Sequence, residues 1–112
     1  METKFNFNSH IALWPHHTCV TVLSEDNKAT CRFNIYDDNL EEAVISDLYV
    51  VESDRHKGLG LKILNHCIDM AKNKFHCTTV SLRSDTDDWV RDWYKRIGFK
   101  VESSQIWLKK EI

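Results

Sequence analysis

The chain reads as an α+β (mixed α/β) domain, built on a mostly antiparallel sheet with one parallel βαβ crossover and two main helices. Three observations predict this. Runs rich in β-branched and aromatic residues, separated by polar turns, fill the first half. The hydrophobic period then switches to helical spacing after Gly60. A single strand-like run parts that helix from a second one, and a strand–helix–strand order implies a parallel crossover.

The elements follow in order. "KFNFNSHIALW" alternates weakly as a first strand and is interrupted near Pro15. "TCVTVLS" and "ATCRFNIY" flank the turn "EDNK" as a hairpin. "EEAVISDLYVV" is long and apolar, the pattern of a strand buried on both faces. Leu61, Leu64, Ile68, Ala71 and Phe75 then form one helical stripe. "CTTVSL" is the next strand. "SDTDDWVRDWYKRIG" is a second helix, with acidic residues in its first turn, Lys95 and Arg96 in its last, and Gly98 as its stop. "FKVES" and "SQIWLKK" close the chain as a short hairpin.

At 112 residues, 1–112 is expected to form a single domain. The net charge of −2 argues against a general nucleic-acid binder. No apolar run of about 18 residues suggests a membrane span, and the amino terminus lacks a secretion pattern, so a cytoplasmic protein is expected. The four cysteines, Cys19, Cys31, Cys67 and Cys77, show no CxxC spacing and read as free thiols of a reducing compartment. "HHTC" (His16, His17, Cys19) has no second ligand pair at a familiar spacing, so no metal is expected.

The candidate site starts at "RHKGLG". Gly58 and Gly60 stand between the apolar strand and the helix, where successive N–H groups can converge without Cβ obstruction. The helix amino terminus, Arg55 and Lys57 add positive charge. A P-loop is excluded because Leu61-Lys62 follows the last glycine instead of Lys-Ser/Thr, and a dinucleotide fingerprint fails at Ile63. The glycines alone leave a plain turn and an anion cradle equally open.

The surrounding residues decide between them. "LYVVESDRHKGLG" resembles the first signature of the GNAT superfamily of acyl-CoA-dependent N-acetyltransferases, with Val50, Arg55, Gly58 and Gly60 in the family's places. "WYKRIGF" resembles its second signature through Tyr94, Gly98 and Phe99. Together the motifs span roughly Ala43 to Trp107.

That resemblance implies acetyl-CoA as cosubstrate and an amine as acceptor. Arg55, His56, Lys57, Gly58, Leu59 and Gly60 would bind the coenzyme pyrophosphate. The pantetheine arm would run beside Leu48 and Val50 like an added strand, and the Val50 N–H would polarise the thioester carbonyl. Tyr94 would protonate the leaving thiolate, since a phenol is protonated at neutral pH; as plain chemistry it is also an aromatic on the packed face with Val90 and Ile97. Asp47, Glu41 and Glu42 are candidate bases, although Asp47 has the opposite strand parity to Leu48 and Val50.

Two departures qualify the resemblance. "SHIALWPHH" leaves a reduced N-terminal helical region, too short for the helices that wall the acceptor pocket in the family. The acceptor site is then either open, as for a protein or a large polar substrate, or completed by a second subunit as a homodimer. Asp87 also replaces the family's asparagine ahead of the tyrosine. The acidic groups Asp37, Asp38, Glu41 and Glu42, Asp85, Asp87 and Asp88, and Glu25 and Asp26 would attract a cationic amine. A protein lysine or N-terminus, a polyamine and an aminoglycoside all suit such a rim. The alternative to an enzyme is a GNAT-fold CoA-binding or regulatory protein acting through a partner interface, for which Trp14, Trp89, Trp93 and Trp107 offer surface.

Overall fold

The computed structural model describes residues 6–52, 58–84, 88–102 and 107–112. Seven strands form one sheet: β1 (Phe7–Trp14), β2 (His17–Ser24), β3 (Ala29–Tyr36), β4 (Asn39–Val50), β5 (Thr79–Arg83), β6 (Lys100–Val101) and β7 (Trp107–Glu111). Their spatial order is β1-β2-β3-β4-β5-β7-β6. All neighbours are antiparallel except β4 and β5, which run parallel, as the sequence predicts. Helix α1 (Leu59–Asn73) links that parallel pair, and α2 (Asp88–Arg96) links β5 to β6.

Both crossovers step across the sheet in the same direction, so the right-handed rule puts both helices on one face. The packing agrees. Cys67 of α1 brings its Sγ to 4.0 Å from the Cys31 carbonyl of β3. Lys110 of β7 donates its Nζ to the Ile97 carbonyl just past α2 at 2.8 Å. Between helices and sheet lie Val20, Val22, Phe33, Ile63, Leu64 and Leu108, each with no exposed surface. Among the described residues no helix covers the other face.

That one-sided covering corrects two expectations. The run around β4 is not buried on both faces: Ala43 and Ile45 are buried, whereas Tyr49 is 55% exposed on the helix-free side. The apolar composition misled because the parallel pairing implies two covered faces only where helices flank both. The buried stripe of α1 likewise runs through Leu59, Ile63, Leu64, Cys67 and Ala71, while Leu61 is exposed and Phe75 lies past the helix end. Counting Cys67 as apolar would have shifted the stripe correctly.

The N-terminal region carries no helix at all among the described residues. "SHIALW" belongs to β1, and Pro15 and His16 make a two-residue turn into β2. All four cysteines are free, with Cys31, Cys67 and Cys77 buried and Cys19 half-buried. The acidic first turn expected of the second helix falls on Asp85 and Asp87, which lie outside the described residues.

Candidate active site

The sheet itself makes the site. The parallel ladder of β4 and β5 begins at Glu42–Thr79 and ends at Ile45–Leu82, although β4 continues to Val50. Past that rung the two strands part, and a cleft of about 170 Å³ opens between them. It is lined by Ser46, Asp47 and Leu48 of β4, Arg83 and Ser84 at the end of β5, and Val90 and Tyr94 of α2, among others. The volume suits the reacting end of a ligand, not a whole coenzyme.

A register shift between Arg32 and Phe33 of β3 prepares this divergence. Arg32 pairs with Asp47 and Phe33 with Ile45, so Ser46 is the extra residue of a β-bulge. Asn34 pins it, donating Nδ2 to the Ser46 Oγ at 3.2 Å. The bulge keeps Ile45 and Leu48 on the helix-covered face despite their odd separation, and it sends Asp47 to the helix-free face. There Asp47 meets Arg32 at 3.4 Å. The opposite parity expected of Asp47 is therefore what the strand adopts.

The main chain of β4 has a direction at the cleft. Val51 donates its N–H to the Lys28 carbonyl at 2.9 Å. Antiparallel neighbours alternate between bonded and non-bonded pairs, so Tyr49 and Asp47 also turn their amides to β3. Leu48 and Val50 thus turn theirs toward the side where β5 has peeled away.

The glycine turn adjoins this edge. Gly58 precedes α1 with φ of 82°, a left-handed conformation that favours glycine. Gly60 sits over β4, where an added Cβ would lie 3.5 Å from Val50 Cγ2, an ordinary contact. Only Gly58 is thus required by the chain's own geometry. The first turn of α1 has no acidic residue, and among the described residues no side chain caps it, so the helix presents its positive pole at this turn. Arg55, His56 and Lys57 lie outside the described residues.

Tyr94 reaches the cleft from α2. It is 7% exposed and packs edge-on against Phe99 and Trp93, at centroid distances of 5.5 and 5.0 Å. Burial, with a smaller contribution from Cys31, pushes its hydroxyl up to about 12. The group is therefore a neutral proton donor at any physiological pH. The two readings of Tyr94 turn out to be compatible, since it is both a packed aromatic and a cleft residue.

The remaining candidates are placed as follows. Glu42 pairs with Lys109 at 3.4 Å, and exposed Glu41 lies beside it, at the far end of β4 from the cleft. The Cys31 thiol is raised well above its ordinary range by its neighbour Cys67 and by burial, and burial also raises Cys77. Neither thiol is poised as a nucleophile. Sequence reasoning missed Ser84, which is 6% exposed, lines the cleft and has no hydrogen-bond partner for its Oγ among the described residues. A lone serine before an acidic run gave no signal of this.

The sequence model of the acetyltransferase (GNAT) family matches residues 2–99, and the chain belongs to that family. No curated protein sequence matches. Among solved structures, the chain is similar to a GNAT family acetyltransferase from Elizabethkingia anophelis with acetyl-CoA bound, at 16% identity and a TM-score of 0.71, covering 99% of this chain and 100% of that one. It is also similar to nourseothricin acetyltransferase, at 13% identity and a TM-score of 0.67, covering 87% of this chain and 66% of that one. The Elp3 protein of the archaeon Methanocaldococcus infernus gives 19% identity and a TM-score of 0.77, with 96% of this chain spanning 30% of that one. At these identities the likeness is one of fold. No helix among the described residues is long and apolar enough to cross a membrane.

Proposed function

We infer that the protein is an N-acetyltransferase that moves an acetyl group from acetyl-CoA to an amine by direct attack in a ternary complex. The observation that carries this reading is the parting of β4 and β5 beyond Ile45–Leu82, with Tyr94 lining the gap and the Leu48 and Val50 amides turned toward it. The pantetheine arm fits such an edge as an added strand, and the adjoining amino terminus of α1 supplies donors for the pyrophosphate. Arg55, His56 and Lys57 complete that anion site in this reading.

In the reaction, the neutral amine attacks the thioester carbonyl carbon and the Val50 N–H favours charge on the carbonyl oxygen. The C–S bond breaks as the C–N bond forms. Tyr94 gives its proton to the departing sulfur, and the amine's surplus proton leaves through the general base. Asp47 is our candidate for that base: it lines the cleft yet belongs to the face that no helix covers among the described residues, the side from which an acceptor would approach. An open approach suits a protein amine or a large polar amine. The cytoplasm is the compartment this reading implies.

Titration calorimetry with acetyl-CoA tests the reading first, and clean folded protein that binds none would end it. Coenzyme binding without thiol release across a broad amine panel would instead favour a regulatory role. Mass spectrometry of a lysate incubated with the protein and isotope-labelled acetyl-CoA would identify the acceptor.

A further inference from the structure

We propose that β1 is a self-pairing edge, through which two copies of this chain join their sheets antiparallel about a two-fold axis. The sheet ends in two very different strands. At one side β6 has two residues and carries Lys100, the short and charged form that discourages pairing. At the other, β1 has eight residues, and seven of them are exposed. Nothing pairs with its outer edge among the described residues.

Charge points to a second copy as the occupant. In a chain that is 29% charged, no Asp, Glu, Lys or Arg occurs between Lys4 and Glu25, which takes in all of β1 and β2. An isologous contact sets a segment against a second copy of itself, residue i facing j and j facing i, so a strand of one net sign would be repelled by its copy. A charge-free edge avoids this repulsion and offers nothing to a partner of opposite sign. Ile11 is 42% exposed, Leu13 81% and Trp14 59%, so the uncharged edge is also apolar.

The hydrogen-bond phase fixes the register. Glu25 donates its N–H to the Asn6 carbonyl at 2.9 Å, which makes that pair a bonded one. By alternation Asn8, His10, Ala12 and Trp14 bond inward to β2, while Phe7, Ser9, Ile11 and Leu13 point their main-chain groups outward. Centring the axis on His10 sets Phe7 against Leu13 and Ser9 against Ile11 of the second copy. Every outward group is then used, in about eight hydrogen bonds. Moving the axis to Ser9 or to Ile11 uses fewer. Leu13 comes to lie beside Phe7 of the other copy, and the two His10 side chains face each other across the axis on the helix-free side.

Sedimentation equilibrium of the full chain over a dilution series is expected to show a reversible dimer. Ile11→Pro removes an outward N–H while sparing every bond to β2, so it should weaken dimerisation by roughly tenfold or more with an unchanged circular dichroism spectrum. His10→Cys should form a cross-linked dimer under mild oxidation, because directly opposed residues of a non-bonded pair stand about 4.5–5.5 Å apart at Cβ, whereas Asn8→Cys, opposite Ala12, should not. A chain that is monomeric throughout, a dimer indifferent to Ile11→Pro, or equal cross-linking by both cysteine variants would overturn the proposal. Capture of a different polypeptide along β1 by a monomeric chain would overturn it as well.

Discussion

Ile45 and Leu82 form the last rung between β4 and β5, and everything proposed for catalysis lies just beyond it. On one side of the opening Tyr94 approaches with the helices; on the other Asp47 sits on the sheet face that no helix covers among the described residues. The gap thus separates a proton donor from a candidate base by the thickness of a sheet, which is the separation a donor thioester and an acceptor amine need if they enter from opposite faces. Tyr94→Phe keeps the aromatic packing and removes the proton. Turnover should fall about 100-fold or more while acetyl-CoA affinity changes little. An unchanged rate would take Tyr94 out of the chemistry.

The same hydroxyl predicts a pH effect on stability. Its folded value of about 12 lies above the ordinary 10.0, so the unfolded chain ionises first as pH rises. The stabilisation is fully present below about pH 10 and is lost as pH climbs from there to about 12. Its size is about 2–3 kcal/mol. Denaturant melts across that window should slope less steeply for Tyr94→Phe than for the parent; parallel curves would refute the assignment.

Asp47→Asn keeps the shape of the side chain and removes its basicity. Because the carboxylate stands on the face away from the proposed coenzyme side, the variant should bind acetyl-CoA normally and turn over about 100-fold more slowly. Arg32→Gln provides a comparison, since it removes the ion-pair partner at 3.4 Å but leaves the carboxylate. If both variants lose the same activity, Asp47 matters for its pairing rather than as a base.

The two glycines of the turn should behave differently. Gly58→Ala forces a Cβ into a left-handed conformation at φ 82° and should cost about 1–2 kcal/mol in stability. Gly60→Ala meets only an ordinary contact with Val50, so its stability should hold or rise by up to about 1 kcal/mol. Coenzyme affinity should nevertheless fall, if backbone at Gly60 is what a pyrophosphate approaches. Thermal melts and calorimetry on the pair separate these effects, and a Gly60→Ala protein with undiminished affinity would remove that residue from the binding site.

What the sequence made legible was what local pattern controls. The strand "ATCRFNIY" matches β3 residue for residue, and the change of period after Gly60 correctly announced a parallel crossover. Tyr94 and Val50 were singled out because motifs marked them, and of the two Tyr94 lines the cleft. The bulge at Ser46 was not singled out, since nothing in "AVISDLYVV" distinguishes an extra residue from a regular one; only its partner strand defines it. The burial of Ser84 and the pairing of Arg32 with Asp47 are equally non-local, being set by residues distant in sequence. The bare sheet face was half legible: the shortness of "SHIALWPHH" ruled out the full pair of wall helices but did not show that the segment would be strand and turn instead.

The end of α2 gives a last test, because it holds Tyr94 in place. Gly98 has φ of 108°, and a Cβ there would lie 3.1 Å from Lys110 Cε. The same lysine donates Nζ to the Ile97 carbonyl at 2.8 Å, satisfying a terminal acceptor of the helix with a positive charge. Lys110→Ala should therefore cost about 1–2 kcal/mol. Gly98→Ala should cost at least as much, through backbone strain and the close contact together. In the double variant the contact disappears but the strain stays, so its loss should be smaller than the sum of the singles by about 0.5–1 kcal/mol. Strict additivity in urea melts would show that Lys110 already gives way to the new methyl group, leaving backbone strain as the whole cost of Gly98→Ala.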